Sequence, residues 1–382
     1  MDVDQVRRSF PSLEAQGLAR FDGPGGSLVP LAVAEAVHQA MLAGMCQRGS
    51  FSAPEQHTDA TTVGAREAIG RLLHTDPGGV VFGRSMTANT MDLARTLAQD
   101  WGPGDEVVVT RLDHDANIRP WVIAAERAGA TVRWLGFDPV TTDLDDLETV
   151  LSQRTRLVAI TAASNLFGTR PDVAAVAAAA HEVGALVHVD AVHLAAHASV
   201  DRVALGADFL ACSPYKFFGP HLGVLAADPE LLRTLHPDKL LPSTMDVPER
   251  FELGTLPYEQ LAGVTAAVDF IDGIGGMAQI EAHEDNLLTR LLDGLAELPT
   301  VTVHGSPVTR TPTVLLNVAG RAAREVYEHL ATRGVIAPAG SFYALEASRH
   351  ASLGDTGGVR VGISPYCTTD EVDRLLTGLA AA

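Results

Sequence analysis

Between about residues 65 and 225 the chain alternates short apolar runs with segments of helical periodicity. "GVVFG" (79–83), "DEVVVT" (105–110), "TVRWLGF" (131–137), "RLVAITAAS" (156–164), "ALVHVDAVH" (185–193), "ADFLACS" (207–213) and "LGVLAA" (222–227) read as strands. They are rich in β-branched residues and apolar on both faces, as strands covered by helices on each side must be. Segments 88–100, 118–129 and 171–184 read as the intervening helices. The third opens "RPDVAAV", with Pro171 in the first turn and Asp172 at the positive end of the helix dipole. This alternation predicts an α/β fold with a mainly parallel sheet sandwiched by helices. Ligands of such sheets sit at the carboxyl ends of the strands, which directs attention to the residues just after each one.

Near residue 256 the pattern changes. A long helix over "PYEQLAGVTAAVDFIDGIGG" is followed by a second near 279–297. Strand-like "VTVHG" and "PTVLLNVAG", a helix over 321–333, "GVRVGIS" and a last helix from Thr369 follow in turn. The expected organisation is a large domain over 21–255 and a linking helix with a smaller α+β domain over 256–382. Residues 1–20 form an N-terminal segment that packs with the smaller domain.

Composition narrows the function. The balance of 28 basic against 47 acidic residues gives a formal charge of −19. That disfavours nucleic acid or an anionic membrane surface as a partner, since both reward clustered Lys and Arg. The three cysteines, Cys46, Cys212 and Cys367, lack CxxC spacing, which argues against a disulfide framework or a zinc site and for a reducing compartment. The N-terminus has no apolar core of a signal peptide, and no apolar run approaches the roughly 20 residues of a membrane span. The expected location is the cytoplasm. Lysine occurs only twice, at Lys216 and Lys239. Coding bias explains such scarcity, but one of the two stands in the rigid, apolar turn "SPYKFFGPHLG".

The strand ends hold the chemistry. After "GVVFG", the string "RSMTANTMDLA" turns into a helix with Ser85 and Thr87 at its start. This reads either as an ordinary cap or as an anion cradle of free N–H groups. "VHVDAVH" ends a strand with Asp190, and His193 follows three residues later. Burying that aspartate is costly without a cationic partner. The next strand leads to Lys216, whose apolar neighbours disfavour its charged form and so make it a nucleophile and a base. Asp190 and Lys216 are consistent with a structural salt bridge. They are equally consistent with a pair spanning a cofactor ring, the lysine bonded to it and the aspartate holding its pyridine nitrogen protonated.

From about Phe21 onward the chain resembles the class V aminotransferase family of fold-type I pyridoxal 5′-phosphate (PLP) enzymes, in particular its cysteine desulfurase-like branch. The string "HVDAVHLAAHASVDRVALGADFLACSPYKFFGPHLGVL" carries the resemblance most strongly. It implies that Lys216 forms a Schiff base with PLP and that Asp190 pairs with the pyridine nitrogen. His114, in "RLDHDANIRPW", would stack on the ring as a catalytic residue. Asn165, in "AASNLFGTR", would lie beside ring and substrate, and His193 would reach the ring hydroxyl. Met86, Thr87, Ser213 and Tyr215 would line the phosphate site, Tyr215 standing where a histidine is common. Thr255, in "ERFELGTLPYEQ", would serve the phosphate of a neighbouring subunit, making the enzyme a homodimer with shared active sites. Arg360, in "GVRVGIS", would grip the α-carboxylate of an amino-acid substrate.

The resemblance breaks at one place. Desulfurases carry a nucleophilic cysteine on a loop before this arginine, whereas 335–366 contains no cysteine and Tyr343 stands nearest that position. Cys212 and Cys367 read as packing residues. The expected reaction is therefore β-elimination from a cysteine S-conjugate, giving a thiol, pyruvate and ammonia, as in natural-product sulfur metabolism, with Tyr343 near the leaving sulfur or filling space. Decarboxylative deamination and transamination use the same parts and stay open. Desulfuration and a non-catalytic PLP-fold protein rank lower, the latter because Asp190, Lys216 and Arg360 are all present.

Overall fold

The computed structural model describes all 382 residues. Seven strands form the large sheet: β1 (Val80–Gly83), β2 (Glu106–Thr110), β3 (Thr131–Leu135), β4 (Thr155–Thr161), β5 (Leu186–Asp190), β6 (Phe209–Cys212) and β7 (Gly223–Ala227). They lie in the spatial order β1-β7-β6-β5-β4-β2-β3. All neighbours run parallel except at β7, which is antiparallel to both β1 and β6. The architecture is the expected α/β sandwich, and every expected strand is found within a few residues of its place.

Alternation along each strand divides two cores. Val80 and Phe82 join one hydrophobic cluster, and Val81 joins the other. Likewise Leu210 and Cys212 face one side, with Phe209 and Ala211 on the opposite side. Helices Ala53–Leu73 and Tyr258–Gly273 pack against each other on the first side. Helices Met86–Leu97 and Arg119–Ala128 cover the second, around the fully buried Trp121. One strand departs from the expected pattern: β3 is an edge strand, and its first four residues are exposed or half-buried, because only β2 borders it. A second correction concerns the helix Val173–Glu182. Asp172 is its N-cap, accepting from the Ala175 N–H at 3.0 Å, so Pro171 lies outside the first turn.

The C-terminal part forms a second, antiparallel sheet. Strands β8 (Val301–His304), β9 (Thr313–Val318), β10 (Ala339–Gly340) and β11 (Gly358–Gly362) lie in the order β10-β11-β9-β8. The N-terminal segment crosses to this part. Ala19–Arg20 pairs in parallel with Val335–Ile336, and Arg7 reaches Glu371 at 3.0 Å. Beyond that pair, the loop Gly23–Ser27 threads between β11 and the turn that holds Lys216. A Cβ at Gly362 would lie 2.1 Å from Pro24, and Ser27 Oγ donates to the Tyr215 carbonyl at 3.1 Å. No single helix is long and apolar enough to cross a membrane.

One close approach fixes the mouth of the sheet. A Cβ at Gly223, the first residue of β7, would lie 2.1 Å from the backbone of Ser85, at the N-terminus of helix Met86–Leu97. Gly223→Ala should therefore displace that helix end and cost about 2 kcal/mol of stability. Equilibrium denaturation checks this, and an unchanged midpoint would show that the helix end yields freely.

Candidate active site

A cavity of about 670 Å³ opens at the carboxyl ends of the parallel strands. Five of the seven strands contribute. Ser85, Met86 and Thr87 follow β1, His114 follows β2, Thr161 ends β4 with Asn165 after it, Asp190 ends β5 with His193 after it, and Ser213, Tyr215 and Lys216 follow β6. From the C-terminal part come Phe342, Tyr343 and Arg360, and from the N-terminal loop Pro24 and Gly25. Eleven of the twelve residues singled out from the sequence thus line one cavity. The exception is Thr255, which is exposed and borders a separate groove with Arg84, His221 and Gln260. It does not reach the cavity of its own chain.

Asp115 and Arg119 at the cavity wall pair with each other at 2.9 Å, but Arg360, Lys216 and Asp190 lack the partners that burial normally demands. Arg360 is 3 % exposed, and its Nη1 donates to the Asn165 carbonyl at 3.0 Å. Its Nε has no partner, and the guanidinium carbon stands 3.7 Å from the centre of the Phe342 ring. Burial without a paired carboxylate brings its pKa down to about 9, with Asp22 opposing weakly. Lys216 forms no salt bridge with Asp190, contrary to one of the two readings from sequence; its Nζ donates to the Pro24 carbonyl instead. Burial, and then the nearby Arg360, lower the amine to about 7, while Asp190 pulls the other way. Asp190 accepts from the Val192 N–H at 2.9 Å, and burial raises it to about 6 against that bond and Lys216.

The imidazoles are neutral. Burial, then Lys216, lowers His114 to about 4. Its Nδ1 accepts from the Ala116 N–H at 3.0 Å, so the one proton of the neutral ring sits on Nε2. The Tyr343 ring stacks on it at 5.5 Å between centroids. His193 is 4 % exposed, and its Nε2 lies 3.0 Å from Thr311 Oγ1 and 3.1 Å from Thr313 Oγ1. The nitrogen left for the cavity is Nδ1.

At the other end of the cavity Ser85 is an N-cap, accepting from the Ala88 N–H at 3.1 Å. The cap reading of Ser85 is therefore right, and it leaves the N–H groups of Met86 and Thr87 without intrahelical acceptors. With the Ser213 side chain on the same wall, these donors suit a phosphate. The whole donor set fits PLP on structural grounds. It combines a carboxylate at a strand end, an amine of lowered pKa, a neutral ring wall and an anion cradle, with a spare acceptor on the buried, unpartnered Asn165 Oδ1.

Three features escaped the sequence reading. Pro24 acts through its carbonyl, which no side-chain pattern signals. Phe342 carries no polar group, and only the fold brings it beneath Arg360. Asp113 is fully buried beside His114, accepting from Thr110 Oγ1 and, at 2.6 Å, from Asn117 Nδ2. A carboxylate directly after an apolar strand was the available signal for it. None of the three cysteines lines the cavity. Cys46 is exposed, and burial pushes the thiols of Cys212 and Cys367 well up.

Comparison with known proteins places these features in company. The family model described as "Aminotransferase class-V" matches residues 20–375. A probable cysteine desulfurase 2 of Mycobacterium leprae is 34% identical over 411 residues, covering 100% of this chain and 97% of that protein. An aminotransferase-like protein of Gibberella zeae is 32% identical, covering 99% and 97%. Among solved structures, the cysteine desulfurase CsdA from Escherichia coli superposes with a TM-score of 0.89 at 29% identity, covering 99% of this chain and 97% of that one.

Lys216 and Lys239 are the two lysines, which makes the amine directly measurable. A lysine lowered to about 7 is mostly neutral above that pH and mostly charged below it. Its acetylation by acetic anhydride, followed by peptide mass spectrometry, should rise about tenfold per pH unit below pH 7 and level off above pH 8. A Lys216 rate still climbing tenfold per unit between pH 8 and 9.5 would contradict the lowered value.

Proposed function

The chain belongs to the class V aminotransferase family, whose cofactor is pyridoxal 5′-phosphate, and on that premise we propose that it cleaves the C–S bond of a cysteine S-conjugate by β-elimination. Coarsely, it is a cysteine desulfurase-like PLP-dependent enzyme. The carrying observation is a cavity that combines Lys216, Asp190 and an unpaired Arg360 with no cysteine in its wall.

Each side chain has a task. Lys216 Nζ would bond the cofactor, Asp190 would keep its pyridine nitrogen protonated, and His114 would cover its ring. Met86 and Thr87 N–H groups and Ser213 would take its phosphate. When bound, PLP supplies an electron sink for the pair left at Cα once the proton there is removed. Arg360 would hold the substrate carboxylate through its free Nε edge and fix Cα within reach of Lys216. Lys216, freed when the substrate's amine replaces it on the cofactor and half neutral near pH 7, would take the Cα proton. The Cβ–S bond then breaks with its electron pair going to sulfur, and the Lys216 ammonium or the Tyr343 phenol protonates the departing thiolate. Water completes the products, pyruvate and ammonia.

The names of the relatives favour a second reading, desulfuration of free cysteine. That reaction transfers sulfur to a thiolate, and no cavity residue of this chain provides one. The chain alone also leaves Phe51 95% and Leu241 97% exposed, with Thr255 outside its own cavity. These features support a homodimer in which Thr255 serves the partner's cavity.

Product analysis with S-substituted cysteines separates the readings. The lyase yields stoichiometric thiol and pyruvate; sulfide or protein persulfide from free cysteine would overturn it in favour of desulfuration. Arg360→Ala should lower kcat/KM by about a hundredfold for substrates that carry the α-carboxylate and far less for the corresponding amides.

A further inference from the structure

Behind the wall of the cavity lies a buried polar cluster that the proposed reaction does not use. Thr311 and Thr313, from the C-terminal part, meet His193 Nε2 at 3.0 and 3.1 Å. The His193 ring packs edge-on against the His197 ring at 4.8 Å. His197 Nδ1 lies 2.9 Å from Glu284 Oε2, and these side chains are 4% and 0% exposed. Glu284 belongs to the helix Gly276–Ala296, so residues from three separate stretches of chain converge on this pair of imidazoles.

Donor bookkeeping assigns the protons. Thr311 Oγ1 lies 3.0 Å from Nε2 and 3.3 Å from the Gly168 carbonyl, and its hydroxyl can donate to either. Thr313 is fully buried, and His193 Nε2 is the one partner of its hydroxyl. A buried hydroxyl left without an acceptor is costly, so the Thr313 proton points at Nε2 and Nε2 accepts. In a neutral ring the remaining proton then sits on Nδ1. We propose that Thr313, His197 and Glu284 are positioning residues that hold His193 neutral, with its proton on Nδ1, the nitrogen left for the cofactor side of the cavity.

The electrostatics agree. Burial is the main force that keeps a second proton off His193. The neighbouring His197, Arg360 and Lys216 act in the same sense. Around Glu284 the other facing charges are Asp285 and Glu281, and Glu281 is paired with Arg170 at 2.7 Å. A ring held in this form offers one fixed N–H donor, suited to a phenolate oxygen.

The test uses the full-length protein without added cofactor, so it stands or falls apart from the proposed reaction. With ¹⁵N-labelled histidine, two-bond nitrogen–proton correlation spectra report the tautomer and charge of each ring. His193 should appear as neutral Nδ1–H from pH 5.5 to 8. Thr313→Val, which removes the donor and keeps the shape, should move it to Nε2–H. Glu284→Gln, which keeps the shape but loosens the contact that seats the His197 ring against His193, should weaken the preference for Nδ1–H and leave a mixture of His193 tautomers. An Nε2–H or charged His193 in the wild-type protein would overturn the proposal. So would a Thr313→Val protein that folds with its His193 tautomer unchanged. Should Glu284→Gln not fold, Thr313→Val alone decides the matter.

Discussion

Arg360, Lys216 and Asp190 share a cavity without forming an ion pair among themselves, and the arrangement of the protein follows from keeping them so. Arg360 is buried against Phe342 with one backbone carbonyl as acceptor. Lys216 rests on the Pro24 carbonyl, and Asp190 on a backbone N–H. Each is held by the main chain, which orients without neutralising. Charges buried in this way are costly for a protein on its own and become favourable when a ligand of opposite charge arrives. The cavity is thus built around complementary groups that must come from outside: a carboxylate, a phosphate, and a ring with a basic nitrogen.

The fold supplies this from several directions at once. The parallel strands bring Asp190, His114 and the Lys216 turn to a common edge. The glycine at the start of β7 admits the helix N-terminus to that edge. The loop Gly23–Ser27 and the second sheet then close the opposite wall. Phe342 and Tyr343 both adopt left-handed backbone, with φ of +53° and +60°, which non-glycine residues rarely do in succession. Their carbonyls are fixed by Asn165 Nδ2 at 2.9 Å and the Asp115 N–H at 2.7 Å. That strained pair puts one ring under Arg360 and the other over His114. Strain of this kind persists where surrounding contacts over-determine it, commonly at functional sites.

Much of this was legible in the sequence. The β/α alternation gave the sheet, because strands buried on both faces write an unmistakable apolar run; β3 misled in part because an edge strand needs only one covered face. Asp190 and Lys216 stood out because charged groups beside apolar strands demand a reason. The remaining site residues came from resemblance, and the fold gathers all but Thr255 into one chain's cavity. What could not be read were contacts made by backbone or by apolar rings across long sequence separations, such as Pro24 with Lys216 and Phe342 with Arg360. The cluster behind His193 was hidden for the same reason: Glu284 looks like any charged residue of a helix until that helix is seen to be buried there.

The central claim is that Lys216 is the amine around which this cavity is organised. Borohydride reduction of the PLP-loaded protein, followed by peptide mapping, tests it directly, since Lys239 is the one alternative side-chain amine. The account predicts a pyridoxyl group on Lys216 alone, lost with the visible absorbance in Lys216→Ala. A label on Lys239 or the N-terminal amine, with Lys216 unmodified, would contradict it.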